Sequence, residues 1–271
     1  IHSCIKSIDE DMPVIIVENS NNEKFKEDLE KRYHNVKCVL AKKNIGMGAG
    51  NNIGIKLAKT DYVFVLNPDT TFEANTLNEI FLASQKLNDF TILSPISTKK
   101  DFPNYGTLNK KKILEKNDHP FKVDYVDGFA MVINKNKFKN NNYFDEKFFM
   151  YLENDDLCMR VVNEGGSIFV IPSAKINHIG AGAVNHKFIE EIELSRNWHW
   201  IWSKFYFNKK NFGILKALKV CLTSYISSII KFLFYFIVGN KFKKRKYFNR
   251  AAGFYNALLG KDSWYRPDLK D

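Results

Sequence analysis

The sequence predicts an α/β fold followed by a helical extension. Over residues 13–87, short apolar runs with strand character alternate with charged runs of helix length. This alternation is typical of βαβ units around a parallel sheet core. With 271 residues, 45% of them hydrophobic, the chain can bury a substantial core. After about residue 187 the sequence changes to aromatic, basic helices.

The first part of the chain supplies the alternation element by element. Strands are predicted at residues 13–17, Val36–Leu40 and Tyr62–Leu66. Helices are predicted at residues 23–33 and 73–87. Between them, the glycine-rich residues 44–54 lead into a further helix that ends near Lys59. The helix at 73–87 is amphipathic, which predicts a core-facing side. Its core candidates are Leu77, Ile80, Phe81, Ala83 and Leu87.

The second part is predicted to begin with a loop. Residues 97–120 are polar and rich in lysine, so we expect a mobile surface loop there. The elements expected after it are strands at Val123–Asp127 and Ala130–Ile133, a helix at Glu153–Asn163, and strands near 167–171 and 174–178.

The start of the chain departs from the pattern of a doubly wound sheet. Residues Ile1–Ile8 have helical character, whereas such a sheet normally opens with a strand. We therefore expect an N-terminal strand to be missing, and the lack of an initiator Met also suggests a longer protein. The four cysteines stand far apart, without zinc-type spacing, and are interpreted as reduced thiols of a cytosolic protein.

The net charge of +11 predicts an anionic partner but does not identify it. Nucleic acid is disfavoured, because the basic residues are spread along the chain or lie beside a hydrophobic segment. No nucleic-acid-binding motif organises them.

Two polar stretches follow predicted strands. In VENSNN (17–22), Glu18 is either part of a polar turn and helix cap, or a carboxylate that hydrogen-bonds a base or ribose. In NIGMGAGNNIG (44–54), the glycines allow either a tight turn with close helix packing or a close backbone approach to a diphosphate.

Two further residues are candidate metal ligands. Asp69 stands in FVLNPDTTFE (64–73), directly after a strand, where a turn is the competing interpretation. A hard divalent cation accepts one or two carboxylates together with substrate phosphates. His178, in INHIGAGA (176–183), is either structural or a metal ligand at a strand end.

The stretch FDEKFFMYLENDDLCMRV (144–161) is the strongest indication of a catalytic site in the sequence. Acidic residues are favoured in the first turn of a helix, and Asp156 with Arg160 forms an i,i+4 pair. The aromatic run before Glu153 would bury this carboxyl group and raise its pKa toward that of a base. Glu153 and Asp155 point to nearly opposite sides of a helix, so only one of them can face a cleft, and we expect Glu153.

Taken together, these stretches resemble the nucleotide-sugar-dependent glycosyltransferases of family 2, and more closely their rhamnosyltransferase-like branch. The resemblance covers about residues 1–200 and implies a GT-A Rossmann-like mixed sheet flanked by helices. The basic and aromatic residues 201–271 are expected to form a C-terminal, membrane-associated helical extension. The resemblance implies an inverting enzyme of cell-surface polysaccharide synthesis. Its donor would be a nucleotide-sugar, with rhamnose as one candidate sugar, and its acceptor a glycan or a polyprenyl-linked glycan.

The resemblance also implies roles for individual residues. Asp69 and His178 would hold Mg²⁺ or Mn²⁺, Gly128 would lie beside the sugar, and Glu153 or Asp155 would be the base. The residues implied to contact the nucleotide-sugar are Glu18, Asn44, Gly46, Asn51, Asn52 and, in addition to its metal role, Asp69.

Three departures from the family pattern stand out. The first strand of the family, which helps to seat the nucleobase, is the strand expected to be missing here. Asp69 is followed by two threonines and lacks the second carboxylate of a DXD motif. The family pattern Glu-Asp-x-Asp-Leu has an acid where this chain has Asn154, and an amide cannot serve as a base.

The segment Val220–Val238 has 19 residues and one charge, Lys231, and is followed by KFKKRK (241–246). It could lie in the plane of an anionic cytoplasmic leaflet, span the bilayer, or pack as a buried core helix. Its lysine and aromatic flanks fit the in-plane helix at least as well as a span. A peripheral location at the inner face of the cell membrane would suit a lipid-linked acceptor.

Two other functions remain open from the sequence. A nucleotidyltransferase also needs a metal and a βαβ nucleotide site, but it predicts two carboxylates at the Asp69 turn and no acidic helix. A catalytically impaired glycan- or membrane-binding module would agree with the Asn154 departure. Donor hydrolysis or sugar transfer in the presence of metal distinguishes the three.

Overall fold

The computed structural model describes residues 1–87, 89–99, 103–107, 119–180 and 186–267. The chain forms two compact units. The first comprises Ile1–Asp145 and Glu153–Gly182, and the second Glu146–Leu152 and Ala183–Asp271. The domain boundary expected between residues 200 and 201 falls inside a helix of the second unit.

Among its described residues, the first unit contains five α-helices. They are α1 (His2–Lys6), α2 (Glu23–Arg32), α3 (Met47–Leu57), α4 (Thr76–Lys86) and α5 (Glu153–Asn163). Its strands are β1 (Val14–Glu18), β2 (Val36–Leu40), β3 (Tyr62–Leu66), β4 (Thr70–Phe72), β5 (Ile92–Ser97), β6 (Tyr105–Gly106), β7 (Phe121–Val123), β8 (Tyr125–Val126), β9 (Ala130–Asn134) and β10 (Ile168–His178). The predicted elements occur in the predicted order, except that the last two strands form one strand; β4, β5 and β6 were not predicted from the sequence.

The main sheet is mixed. Its strands run in the order β3-β9-β5-β10-β4, with β7 also pairing with β10. Strands β1 and β2 form a separate parallel pair, and β6 pairs with β8. The parallel core expected from the alternation was wrong for most pairs, because β9 runs antiparallel between β3 and β5. Among the described strands, only β1–β2 and β5–β10 are parallel pairs, and the mixed sheet implied by the resemblance is confirmed. The two strands expected near 167–178 are one strand, β10, whose pairing with β5 shifts register between Ile171 and Lys175.

Helix α4 covers one side of this sheet. Ile80 and Ala83 are buried, as predicted, in a cluster with Phe90 and Leu93. The core position predicted for Phe81 was wrong, since its side chain is 60% exposed. One residue beyond Ile80 along the helix, it is rotated by about 100° away from the buried side.

The loop predicted at residues 97–120 is described only in part. Residues 100–102 and 108–118 lie outside the described residues. The surface position was wrong for Asn104 and Tyr105, which are buried. The Asn104 side chain accepts a hydrogen bond from the Ser97 amide at 2.8 Å and donates to the Pro95 carbonyl at 2.9 Å. These bonds tie the segment to the end of β5.

The second unit is helical, as predicted. Its long helices are α6 (Ile189–Phe212), α7 (Ile214–Ile237) and α8 (Lys241–Leu258). Aromatic and small side chains from all three form its core, among them Trp198, Trp202, Phe205, Cys221 and Phe254. Among the described residues, α7 is the one helix long and apolar enough, by length and composition, to cross a bilayer.

The aromatic segment Glu146–Leu152 packs on α6. The Phe148 ring lies 4.9 Å from that of Tyr206, and the Phe149 ring 4.6 Å from that of His199. Ser203 donates a hydrogen bond to the Met150 carbonyl at 2.7 Å. Successive residues of the segment are thus fixed by one helix.

Helices α6 and α8 approach each other closely at Gly253. A Cβ atom on Gly253 would lie 2.3 Å from the Trp198 carbonyl oxygen and 2.8 Å from Ile201 Cγ2. Since the first neighbour is backbone, it cannot move aside by rotating a side chain. The contact therefore requires glycine.

We predict that Gly253→Ala lowers the free energy of unfolding by about 1–3 kcal/mol, the usual cost of overpacking a core, despite the better helix propensity of alanine. Thermal unfolding followed by circular dichroism measures the change. The matched control is Gly54→Ala, also in a helix, where the new Cβ would make an ordinary 3.6 Å contact with Val17. Equal stability of the two variants would contradict the prediction.

Candidate functional site

Three of the predicted site residues lie at one edge of the main sheet. Strands β3 and β10 both end there, and the antiparallel strand β9 begins there, with Leu66 opposite Ala130. Asp69 and Gly128 lie in the connections at these strand ends, and His178 is the last residue of β10. Open α/β sheets bind ligands at the carboxyl ends of their strands, so this edge is the candidate site.

Asp69 and His178 are brought together by strand pairing. Strand β4 pairs antiparallel with β10, which places His178 opposite Thr70. The Ile179 amide donates to the Asp69 carbonyl at 3.1 Å, and the Phe129 ring stacks on the imidazole at 4.3 Å. As a result, Asp69 Oδ1 lies 3.3 Å from His178 Nε2. Two residues distant in sequence thus present an oxygen and a nitrogen at the same point.

This pair fits a divalent cation that completes its coordination with substrate. A carboxylate and an imidazole are both common ligands, and Mg²⁺ in particular is usually bound by one or two carboxylates plus substrate phosphates. Within the described part of the chain, no group of three or more His, Cys, Asp or Glu side chains could hold a metal ion alone. The protein would therefore supply a partial site.

Glu153 is the first residue of α5, as predicted. The chain enters the helix through two left-handed residues, Tyr151 with φ 72° and Leu152 with φ 66°. The Glu153 side chain is 5% exposed, and its Oε2 atom has no hydrogen-bond partner among the described residues. Burial raises the pKa of Glu153 to about 7, and the Asp155 charge adds to the rise. The expected shift toward the range of a base is present; the role itself stays a prediction.

Asp155 is half-buried rather than open to solvent. Burial raises its pKa, and the neighbouring Asp156 charge has the same effect. Burial also raises the pKa of Asp127; the Asp155 charge adds to this rise, while His178 opposes it. Asp155 and His178 are therefore both close enough to Asp127 to influence its pKa.

Asp127 was not singled out as a site residue in the sequence analysis. The signal available for it was an acidic residue directly before Gly128, at the break between two strand-like runs. That position alone is also typical of an ordinary turn. Only the structure shows its proximity to Asp155.

Gly128 allows close packing of this turn on α5. A Cβ atom at this position would lie 3.1 Å from Asn154 Cβ and 3.3 Å from Met47 Cε. The Asn154 amide donates to the Val126 carbonyl at 3.3 Å. Asn154 thus ties the first turn of α5 to the end of β8, a structural contact at the position where the family pattern has an acid.

The glycine-rich segment is helical over most of its length, because α3 begins at Met47. Gly46 precedes the helix with φ 90°, a conformation that favours glycine, and its amide donates to Asn44 Oδ1 at 3.1 Å. Asn52 is buried and exchanges two 2.9 Å hydrogen bonds with the backbone of Phe144. These contacts give Asn52 a structural role.

Asn51 differs from Asn52 in its surroundings. Its Nδ2 atom is buried and has no hydrogen-bond partner among the described residues. A buried donor of this kind is normally satisfied, so a bound group is a natural partner for it.

Glu18 ends β1 in the two-stranded sheet. Its carboxylate accepts hydrogen bonds from the Ser20 amide at 2.8 Å, the Ser20 hydroxyl at 2.5 Å and the Asn22 amide at 2.7 Å. Partial burial opposes ionisation, but these bonds outweigh it and lower the pKa of Glu18. The geometry supports the polar-turn interpretation, and the nucleotide contact stays a prediction. The adjacent Asn19, not singled out from the sequence, donates to the Gly46 carbonyl at 3.2 Å.

The structural role expected for Asp156 is confirmed. Its Oδ2 atom lies 3.4 Å from Arg160 Nε, one turn further along α5, and its side chain is fully buried. Arg160 also donates to the carbonyls of Asn142 and Tyr143. Asp156 therefore anchors α5 through Arg160 rather than facing the cleft.

A family model described as Glycosyl transferase family 2 matches residues 1–156. The chain is similar to the "Low-salt glycan biosynthesis hexosyltransferase Agl10" of Haloferax volcanii, with 28% identity over 57% of this chain and 54% of that protein. It is also similar to the "N-acetylglucosaminyl-diphospho-decaprenol L-rhamnosyltransferase" of Mycobacterium tuberculosis, with 22% identity over 61% of this chain and 66% of that protein. The chain thus spans between about half and two thirds of these relatives.

Two solved structures show the same fold. The mannosyltransferase PcManGT from Pyrobaculum calidifontis, in complex with GDP-Man and Mn²⁺, has a TM-score of 0.53 and 11% identity, covering 95% of this chain and 82% of that one. S. aureus TarS 1–349 has a TM-score of 0.51 and 14% identity, covering 100% of this chain and 90% of that one. The GT-A fold expected from the sequence is confirmed.

The buried Glu153 makes stability depend on pH. Its pKa is about 7 in the folded protein and 4.5 as the ordinary value, so the folded state binds the proton more tightly. The bound proton therefore stabilises the folded state. This stabilisation is full below the ordinary pKa of 4.5 and is lost as the pH rises to about 7. We predict that Glu153→Gln equals the parent in stability at acidic pH and exceeds it above neutrality by up to about 3 kcal/mol.

Denaturant unfolding of both proteins across this pH range measures the effect. Glu164→Gln, at an exposed position just beyond α5, removes the same charge without burial and serves as the control. A stability difference for Glu153→Gln that does not vary with pH would contradict the assignment.

Proposed function

The chain belongs to glycosyl transferase family 2, and on that premise we propose that it transfers a hexosyl group from a nucleotide-sugar to a glycan acceptor with inversion. The observation that carries the proposal is the 3.3 Å pair of Asp69 and His178 at the carboxyl edge of the sheet. This unit also contains the buried acid Glu153 at the start of α5. A leaving-group site and a base are the two elements that the reaction requires.

The donor end of the site is assigned to the sheet edge and to α3. A divalent cation, Mg²⁺ or Mn²⁺, held by Asp69 and His178 would neutralise charge on the departing nucleoside diphosphate. The unpartnered Asn51 Nδ2 is a donor for the same substrate, and the amino end of α3, after Asn44 and Gly46, favours negative charge. We retain Glu18 as the proposed nucleotide contact and Gly128 as the residue beside the sugar.

The acceptor end is assigned to α5. Glu153 would remove the proton of the acceptor hydroxyl while that oxygen attacks the anomeric carbon from the face opposite the leaving group. A pKa near 7 suits this task, because the carboxylate is populated at neutral pH and still binds a proton well. Asp155, with its own raised pKa, is the competing base.

The names of the relatives support an acceptor in glycan assembly. One is described as a glycan biosynthesis hexosyltransferase, and another as a rhamnosyltransferase acting on a decaprenol-linked sugar diphosphate. We propose a hexose such as rhamnose as the transferred sugar. The acceptor would be a polyprenyl-linked glycan at the inner face of the cell membrane, and the product would be used in cell-surface polysaccharide synthesis.

A panel of nucleotide-sugars tests the proposal most directly. Calorimetry of the protein with each donor, with and without Mn²⁺, identifies the nucleotide and sugar, and release of nucleoside diphosphate measures hydrolysis or transfer. Binding of one donor that depends on the metal is expected. Metal-independent binding would contradict the metal role, and release of sugar 1-phosphate in place of the nucleoside diphosphate would contradict a glycosyltransferase and favour nucleotidyl transfer.

We predict that Asp69→Ala lowers kcat/KM by roughly 10³-fold or more while the fold is retained. The reason is the loss of a ligand whose cation contributes several kcal/mol of charge stabilisation. The same variant should also bind Mn²⁺ more weakly in the presence of nucleoside diphosphate, which calorimetry measures without turnover. The control is Asp28→Ala on the exposed side of α2. Unaltered turnover of Asp69→Ala would refute the metal role.

A second prediction distinguishes the two candidate bases. Glu153→Gln should lower kcat by roughly 10²–10⁴-fold, the usual effect of losing a general base, while donor affinity stays nearly unchanged. Asp155→Asn should have a mild effect. The pH dependence of kcat for the parent should show an ascending limb near pH 7 that Glu153→Gln lacks. An inactive Asp155→Asn with an active Glu153→Gln would move the base two residues along the helix.

A further inference from the structure

The net positive charge of the chain comes from residues 194–261, most of which are helical. Residues 194–261 contain 14 Lys and Arg residues and no Asp or Glu. The rest of the chain therefore holds 27 of the 41 basic residues and all 30 acidic ones, a balance of −3. The charge of residues 194–261, +14, is therefore larger than the net charge of the whole chain, +11. Such a region attracts an anionic surface, and the rest of the chain does not.

Helix α7 has a packed face within this region. Ala217, Cys221 and Tyr225 belong to the core that α7 forms with α6 and α8. Tyr225 stacks on Phe254 of α8 with the ring centroids 4.5 Å apart. The packed positions recur at intervals of four residues, so they occupy one side of the helix.

The opposite face of α7 is apolar and exposed. It is formed by residues spaced three or four apart, with exposed fractions between 44% and 84%. They are Leu222, Ile226, Ile230, Leu233 and Ile237. The stripe is about 22 Å long at the rise of an α-helix. A contiguous exposed surface of this kind marks an interaction site.

Lysines and tyrosines lie where α7 turns into α8. Lys243 stands over the Tyr235 ring at 5.1 Å, and Lys231 over the Tyr247 ring at 5.2 Å. The two tyrosine rings stack on each other at 5.6 Å. Side chains with apolar bodies and polar or cationic tips are typical of the boundary between acyl chains and headgroups.

We propose that α7 lies in the plane of an anionic lipid bilayer, with its exposed stripe at the acyl boundary and the lysines of α7 and α8 at the phosphate headgroups. The opposite charges of protein and headgroups favour this occupant. A second copy of the chain is disfavoured, since two regions without acidic residues would repel each other.

The packing of α8 favours an in-plane helix over a span. The contacts of Tyr225 with Phe254 and of Phe232 with Phe248 show that α8 returns antiparallel along α7. If α7 crossed the bilayer in this arrangement, α8 would enter the hydrocarbon with Arg245, Lys246 and Arg250. Charged side chains are costly there, whereas an in-plane α7 leaves α8 on the aqueous side.

Flotation of the full chain with lipid vesicles tests the proposal. We expect it to float with vesicles of phosphatidylcholine and phosphatidylglycerol but not with phosphatidylcholine alone, and high salt should release it. Ile230→Glu should weaken binding by roughly 10- to 100-fold, the worth of burying one such side chain. The matched control is Phe81→Glu, which makes an apolar-to-acid change at a site of equal exposure (60% against 61%) in the first unit.

Each contrary outcome identifies an alternative. Equal binding to both vesicle types, or no effect of Ile230→Glu, would overturn the proposal. Resistance to alkaline carbonate extraction would show a membrane span instead. A dimer in solution that Ile230→Glu dissociates, without vesicle binding, would assign the stripe to a second copy. This inference deepens the membrane location proposed above, but the assay uses no donor or acceptor, so the two proposals can fail separately.

Discussion

The candidate site depends on the close packing of residues 126–128 against the first turn of α5. A Cβ atom at Gly128 would crowd Asn154 Cβ at 3.1 Å, and the Asn154 side-chain amide donates a hydrogen bond to the Val126 carbonyl. This contact fixes where α5 begins relative to the sheet edge. Because Glu153 and Asp155 flank Asn154, it also fixes where both candidate bases lie. A residue unable to accept a proton thus positions the residues that can.

The same packing gathers carboxyl groups in a poorly solvated place. Burial raises the pKa values of Asp127, Glu153 and Asp155, and the negative charge of Asp155 raises the other two further. Such an arrangement opposes folding at neutral pH, since the charged forms are disfavoured. Proteins retain buried ionisable groups of this kind most often at functional sites. The first unit therefore combines a stable core cluster with one edge that is electrostatically costly.

Most local elements could be predicted from the sequence, because they depend on neighbouring residues, although the strands β4, β5 and β6 were missed. The bounds expected for Val36–Leu40, Tyr62–Leu66 and Glu153–Asn163 agree with β2, β3 and α5. The sheet order could not be predicted in this way. Whether β9 lies antiparallel between β3 and β5 depends on pairings between distant segments, which hydrophobic periodicity does not encode.

The site was predictable in its chemistry but not in its contacts. Asp69 and His178 were expected to act together, and strand pairing does bring them together. Asn52 was expected to bind the donor, yet its amide is engaged with the backbone of Phe144, 92 residues away. Asp127 was missed, because its significance lies in its distance from Asp155. Single positions in a sequence carry residue types, whereas hydrogen-bond partners emerge only from the folded chain.

The short segment Glu146–Leu152 has a consequence for biosynthesis. It lies between two portions of the first unit in the chain but belongs to the second, where Phe148 and Phe149 are buried beside residues of α6. During translation, these two rings leave the ribosome about 50 residues before His199 and Tyr206, the side chains that cover them. During that interval the two rings form an exposed apolar surface on the nascent chain. A premature stop before α6 would leave this surface permanently exposed. Quality control by chaperones that bind exposed aromatic segments would therefore act on this protein at the stretch that leads into its acidic helix.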